Sequence, residues 1–351
     1  MKKPFSRFCS LLILVVISFC CTSWGFLVHR SINQLAIYIL PNSMGLFFHQ
    51  NLDYLVKESV RADTRRDKDS LEAPKHFIDF EAYDPDQLGA WKMPFKYTDA
   101  LAKYGKDSLQ KYGYLPYQVI ESKNRLTAAF KAWDKDSILF HAADLAHYVA
   151  DAHVPLHTTL NYDGQLTGQQ GLHSLWESMM PELYLDQFEL YIPYKVTYLK
   201  NPEQAIWGAL RTSYLLVDDM LKKEALTAKD FPGDSRYRIQ VRKGKTVKTY
   251  NTDFAKAYYQ RIGKSVNLQM LLAVNLVADF WYTCWVDAGE PSLDILMDKN
   301  QKNKRDLKSE KISHKKNTLI KNQLLLAKKK TDNELNNDVK NQPDSTQPGS
   351  R

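Results

Sequence analysis

The stretch HYVADAHVPLHTTLNYDGQLTGQQGLHSLWE, residues 147–177, sets His147, His157 and His173 among the carboxylates Asp151 and Glu177 at spacings that packing alone does not require. His147 and Asp151 are four apart, as are His173 and Glu177, so each pair leaves one face of a helix one turn apart. Pro155 ends or kinks the first of these helices, and the turn after it can aim His157 back at the pair. Either pair alone would read as a surface ion pair. Two pairs flanking a third histidine, in an apolar context, read as cation ligands, and neutral imidazole with carboxylate is a zinc-type donor set.

Around this stretch apolar residues recur at helical spacing. Ile138, Leu139, Ala142, Leu145, Ala146 and Val149 predict a helix over 135–154. Asp144, three residues before His147, is placed either to orient that imidazole or to be a plain exposed acid. Upstream, helices are expected over 27–40, which carries His29 in its first turn, over 43–56, in a segment from Tyr97 that ends before Tyr112-Gly113, and over 116–133. Downstream they are expected over 202–221 and 253–288, the last stopped by Gly289 and Pro291. His49, His141 and His153 read as structural. Residues 59–81 form a charged, proline-punctuated loop that holds two more ligand types, Asp63 and His76, the latter beginning a short strand; residues 82–96 read as a long loop. Residues 236–250 alternate apolar and basic around Lys243-Gly244-Lys245, as a short hairpin does. No internal repeat, glycine-rich phosphate loop or Gly-x-Ser-x-Gly elbow is present. The expected fold is therefore all-α: a single mostly helical domain over 24–298 with at most short β-hairpins.

The ends differ from this body. Lys2, Lys3 and Arg7 precede the apolar run LLILVVISF and then Cys20-Cys21-Thr22-Ser23, the pattern of a signal peptide over 1–23 cut before Trp24. A secreted or periplasmic product follows, with a lipid anchor on Cys20 or Cys21 as the alternative. Only Cys284 remains after that cut, so no internal disulfide can form and metal would do the stapling. The net charge of +8 suggests a nucleic-acid binder until its location is read: residues 24–298 hold 31 basic and 34 acidic side chains, whereas 299–351 hold 14 and 6. The basicity belongs to the tail, so long-range counterion-release binding to duplex is not implied for the body. The tail is rich in Lys, Asn and Gln and reads as disordered or loosely helical.

Collected in order, the candidates are the Trp24 amino terminus, His29, Asp63, His76, His147, Asp151, His157, His173 and Glu177. This ordered set resembles the superfamily that joins the zinc-dependent bacterial phospholipases C to the nuclease type I family of fungal single-strand-specific nucleases. The resemblance covers essentially the whole body. It implies three zinc ions per chain: one held by Asp63, His76, His147 and Asp151, a second by His157, His173 and Glu177, and a third by Trp24 and His29 with Asp151 shared. It further implies hydrolysis of a phosphodiester by an activated water that Asp63 holds or deprotonates, with no covalent intermediate.

The substrate is divided by local motifs. Arg66, three residues after Asp63, matches the arginine that contacts phosphate in the nucleases, and His76-Phe77-Ile78-Asp79 is similar to their segment in which the aromatic ring stacks on a base and the aspartate reads its edge. The same resemblance adds Asn161 as a substrate contact. Glu177 in GLHSLWE looks like the phospholipase version. The reading leans to a nuclease acting on single-stranded nucleic acid, with phospholipase C action on phospholipid head groups as the alternative and a non-catalytic zinc-stabilised secreted protein as the other. No obligate protein partner is implied, and a monomer is expected.

Overall fold

The computed structural model describes residues 26–83, 92–242, 245–298 and 305–328. The leader and Trp24 lie outside these residues. The order is α1 (Phe26–Ile39), α2 (Asn42–Gln50), α3 (Leu52–Glu58), α4 (Arg61–Arg65), α5 (Phe80–Tyr83), α6 (Tyr97–Tyr104), α7 (Lys106–Tyr112), α8 (Leu115–Lys131), α9 (Lys135–Asp151), α10 (Leu172–Ser174), α11 (Met180–Tyr184), α12 (Pro202–Leu215), α13 (Val217–Ala228), β1 (Tyr237–Arg242), β2 (Lys245–Tyr250), α14 (Thr252–Asp287) and α15 (Leu307–Lys315). The two strands form one antiparallel hairpin, with Tyr237 opposite Tyr250, and are the only strands among the described residues. The fold is thus all-α apart from a short hairpin. Among the described residues no helix is long and apolar enough to cross a membrane.

The core is built on α14, 36 residues long, whose Tyr258, Ile262, Val274, Val277, Phe280 and Trp281 are buried. It packs against α1, α8 and α9, and α8 and α9 pack on each other. Both α9 and α14 start on side-chain caps: Asp134 accepts from the amide of Ser137 at 3.1 Å and Asn251 from that of Phe254 at 2.9 Å. Each cap satisfies a helix-end donor where the apolar stripe begins.

Several expected helices are divided. The one expected over 43–56 breaks at Asn51, which leaves helical geometry (φ −105°, ψ 21°) while its side-chain amide donates to the Phe47 carbonyl at 2.8 Å. The segment after Tyr97 breaks at Gly105, whose φ of 76° suits glycine, and the helix expected over 202–221 is interrupted at Leu216. His76 begins no strand. It closes the 73–75 turn in helical geometry (φ −94°, ψ −10°), and the backbone bonds of residues 77–79 run to His157, Tyr112 and Leu115.

The tail requires a larger correction. Residues 305–328 are neither disordered nor loosely attached: Leu307, Leu319 and Leu325 are buried in the common core, worth about 1.5–3 kcal/mol each. Asp306 caps α15 through the amides of Lys308 and Ser309. The segment straps the outer side of α1 and α2. Gln34 donates to the Leu324 carbonyl at 2.7 Å and Lys311 to the Leu40 carbonyl at 2.8 Å. Three widely spaced leucines and a few buried polar groups suffice to anchor it, and average composition does not reveal them. The other tail residues, 299–304 and 329–351, lie outside the described residues.

Candidate metal centre

Helix α9 ends where the sequence requires it to. Pro155 forces Val154 into extended geometry (φ −94°, ψ 114°), and residues 155–157 then make a tight turn that swings His157 under the helix end. This leaves His147 and Asp151 on the buried face of the last helical turn, 0% and 1% exposed. Asp63 comes from α4 and His76 from the end of the tight turn at residues 73–75. His173 and Glu177 straddle a change of winding, because residues 175–179 widen into a π-type turn. Asp163 sets the entry to that helix by accepting from the amides of Gly171 and His173.

Three groups result, in each of which the ligand-type atoms lie within 4.8 Å of one another: Asp63 with His76 and His147, His157 with His173 and Glu177, and His29 with His147 and Asp151. A tetrahedral ion with bonds of about 2.1 Å holds its ligand atoms about 3.4 Å apart. In the first group His76 Nδ1 is 2.9 Å from Asp151 Oδ2, 3.1 Å from His147 Nε2 and 3.8 Å from Asp63 Oδ1. In the second, His157 Nε2 and His173 Nε2 face each other at 3.1 Å, and Glu177 Oε2 lies 3.6 and 2.7 Å from them.

Backbone carbonyls fix which nitrogen of each ring faces inward. His147 Nδ1 donates to the Ser59 carbonyl at 2.8 Å, His157 Nδ1 to the His76 carbonyl at 2.5 Å and His173 Nδ1 to the Tyr162 carbonyl at 3.0 Å. With Nδ1 protonated, each neutral ring aims an Nε2 lone pair into its cluster. Two lone pairs 3.1 Å apart repel, and a shared cation converts that contact into attraction. His29 adds a buried Nδ1 with no hydrogen-bond partner among the described residues. The donor set, spacing and inward lone pairs therefore fit a bound metal ion.

Asp151 and Glu177 each face two ways. Asp151 Oδ2 looks into the first group while Oδ1 lies 3.4 Å from His29 Nε2. Glu177 Oε2 looks into the second group while Oε1 lies 3.6 Å from the same His29 nitrogen. The sequence suggests sharing only for Asp151.

The electrostatics agree with this arrangement. Burial holds the His147 imidazole down at about 4, so it is neutral and available as a ligand. Burial also opposes a proton on His29, yet the Glu177 hydrogen bond and the charges of Asp151 and Asp63 raise it to about 9. A carboxylate field that protonates a fully buried imidazole is one that attracts cations. Burial works against ionised Glu177, but the His157, His173 and His29 rings around it, which can donate to it in place of a cation, hold it well below the usual carboxylate range.

Beside these groups lies a cleft of about 470 Å³ lined by His76, His157 and His173 together with Arg66, Phe77, Asp79, Lys111 and Tyr162. Three of the four expected substrate residues thus border the ligand groups. Arg66 is 45% exposed and reaches Asp63 at 3.4 Å. Burial and the charge of Glu81 push the Asp79 carboxyl up to about 7.

Asn161 does not fit its expected role. Its side chain is spent inside its own loop, donating to Thr167 Oγ1 at 3.0 Å and accepting from the Leu166 amide at 2.8 Å. Asp144 does not orient His147 either, because Arg61 and Arg65 bind its two oxygens at 2.7 and 2.9 Å. His49, expected to be structural, is buried against Glu310 of the strap at 3.0 Å. His153, read the same way, is buried with Nδ1 on the Val149 carbonyl.

Sequence reasoning missed Glu72, wholly buried beneath His76 and held by Arg65, Lys75 and Tyr148. The four-residue spacing of Glu72 and His76 carried the signal. It also missed Lys111, which nothing in the sequence ties to the cleft. No family model matches the sequence, and no curated protein matches it closely enough to count as a relative.

Proposed function

We propose that the chain is a secreted zinc-dependent phosphodiester hydrolase, of the nuclease type I kind, that cuts single-stranded nucleic acid with water as the nucleophile. The observation that carries this reading is three adjoining ligand groups, linked through Asp151 and Glu177, two of which contribute histidines to a cleft lined by Arg66, Phe77 and Asp79. Three zinc ions match the three groups: Asp63, His76, His147 and Asp151 for one, His157, His173 and Glu177 for the second, and His29 with the Trp24 amino terminus for the third. Bound zinc supplies Lewis acidity, which makes water acidic enough to attack phosphorus near neutral pH and offsets charge on the departing oxygen.

The chain's own groups do the rest. Arg66 sits at the cleft edge, where its guanidinium can grip a phosphate oxygen in fork geometry. Asp63, 19% exposed and within 3.8 Å of both His76 and His147, is placed to orient the attacking water and accept its proton. Phe77 offers a stacking face for a base. Asp79, raised to about 7, keeps its proton in a large fraction of molecules at neutral pH, so it can donate to a base edge as well as accept from one.

A phospholipase C reading is favoured by a different observation. Tyr162 at the cleft rim and Leu166 in the same loop are 55% and 68% exposed, an apolar edge suited to a lipid surface. Purified protein assayed side by side on single-stranded DNA and on phosphatidylcholine decides between the two. The nuclease reading expects faster hydrolysis of DNA and its selective loss in Arg66→Ala. Equal loss on both substrates, or hydrolysis of lipid alone, defeats it.

A further inference from the structure

One cavity in the molecule is larger than the metal cleft. A groove of about 610 Å³ lies on the other side of residues 74–77, walled by Lys75, Phe95, Lys96, Tyr97, Tyr114 and Tyr117. The two cavities share a thin partition. Tyr114 donates its amide to the Pro74 carbonyl at 2.9 Å and Leu115 to that of Phe77 at 3.1 Å, so His76 and Phe77 face the cleft while Lys75 and Tyr114 face the groove. The partition is tight because of Gly113: at φ 81°, a Cβ there would lie 2.1 Å from the Phe77 carbonyl oxygen.

The groove carries recognition chemistry that the metal site does not use. Tyr97, 42% exposed, packs its ring 6.1 Å from Tyr114 and 5.7 Å from Tyr117, and Phe95 leans on Trp207 at 6.0 Å. Of these rings Tyr97 and Phe95 are exposed, while Tyr117 and Trp207 are buried and back them. The polar ends of Lys96, Tyr97, Tyr114 and Asn124 make no hydrogen bond among the described residues, although all four line the groove. Stacking faces, an amide able to read a base edge and a lysine with no acid partner are what one unpaired nucleotide needs. Of the charged groups lining the groove, Lys75 is held by Glu72 and Arg125 by Glu121, which leaves Lys96 and Glu203 without an ion pair among the described residues.

We infer that this groove binds a flanking nucleotide of the single strand whose scissile phosphate lies in the metal cleft. The inference rests on the nuclease reading. It makes Tyr97, Tyr114 and Lys96 determinants of substrate length, outside the reacting centre.

Steady-state cleavage of a dinucleotide and of a longer single-stranded oligomer, combined with fluorescence polarisation of a labelled phosphorothioate oligomer, tests it on the metal-loaded protein. Tyr97→Ala should raise KM for the longer oligomer about tenfold, as loss of one stacked base does, and leave the dinucleotide constants unchanged. Tyr97→Phe should restore the longer oligomer, and Lys96→Gln should flatten the salt dependence of its binding. Equal changes on both lengths, or none on either, overturn the groove. If neither substrate is cleaved, the nuclease reading fails, and polarisation still judges the groove: weaker binding by Tyr97→Ala upholds it and unchanged binding overturns it. Phosphatidylcholine vesicles whose retention is lost in Tyr97→Ala, with oligomer affinity unchanged, would assign the rings to a head group and overturn the nucleotide.

Discussion

The molecule buries two clusters of histidine and carboxylate, and they are built on opposite principles. Under the strap, Glu310 accepts from Tyr38 Oη at 2.8 Å, His49 Nε2 at 3.0 Å and Arg305 Nε at 2.6 Å, and Arg305 also donates to the Leu324 carbonyl at 2.7 Å. One anion meets three donors, one of them a guanidinium, so the cluster is complete with protein groups alone. At the end of α9 the same residue types are turned lone pair to lone pair. Among the described residues Asp151 and Glu177 have no lysine or arginine partner, while His157 and His173 oppose their Nε2 atoms. Residue type and burial do not separate a structural network from a metal centre. The direction in which each imidazole is tethered does.

The comparison breaks first at Asp151. Asp151→Asn should lower turnover on the preferred phosphodiester by about a thousandfold and reduce bound metal by more than one ion, read by elemental analysis. Loss of a single ion would show that its two oxygens do not serve two sites. In the strap, Glu310→Ala leaves three donors buried without an acceptor and should cost about 3 kcal/mol in urea unfolding, with metal content intact. Chelation should act the other way round, lowering the melting temperature of the wild type and of the strap variant by similar amounts.

Glu72→Gln sharpens the boundary between the clusters. Glu72 is 3.6 Å from His76 Nε2, so the change should weaken metal binding about tenfold while a competing chelator is titrated. Unchanged affinity would make Glu72 a purely structural acid. The smallest effect concerns pH. Burial, with Lys315 adding to it and the Leu190 carbonyl opposing it, depresses His314 to about 4, below its ordinary value. The folded state then resists a proton the unfolded chain accepts, so stability is full above about pH 6.5 and declines as pH falls toward 4, by at most about 1.4 kcal/mol per pH unit. His314→Gln should remove that part of the slope and leave turnover unchanged.

The helical fold and the pairs at the ends of residues 147–177 were legible because a four-residue spacing has a direct geometric meaning. Asp144 misled for the same reason. Three residues from His147 it looks like that ring's partner, and nothing local reveals that Arg61 and Arg65 arrive from another helix to claim it. The strap was illegible because Leu307, Leu319 and Leu325 are too far apart to give a period and sit among lysines that face solvent. The aromatic groove was hidden similarly, since Tyr97, Tyr114 and Tyr117 look like ordinary core residues until the chain is folded.

The strap also makes the His29 ligand group depend on distant sequence. His29 rides on α1, near the start of the chain, and α1 is held from outside by residues that leave the ribosome some 290 positions later, as the Gln34 to Leu324 bond records. The clamp on α1 therefore depends on a segment far from α9 and its paired ligands in sequence. A chain truncated before residue 305 would lose that clamp and leave the His29 ligand group loose.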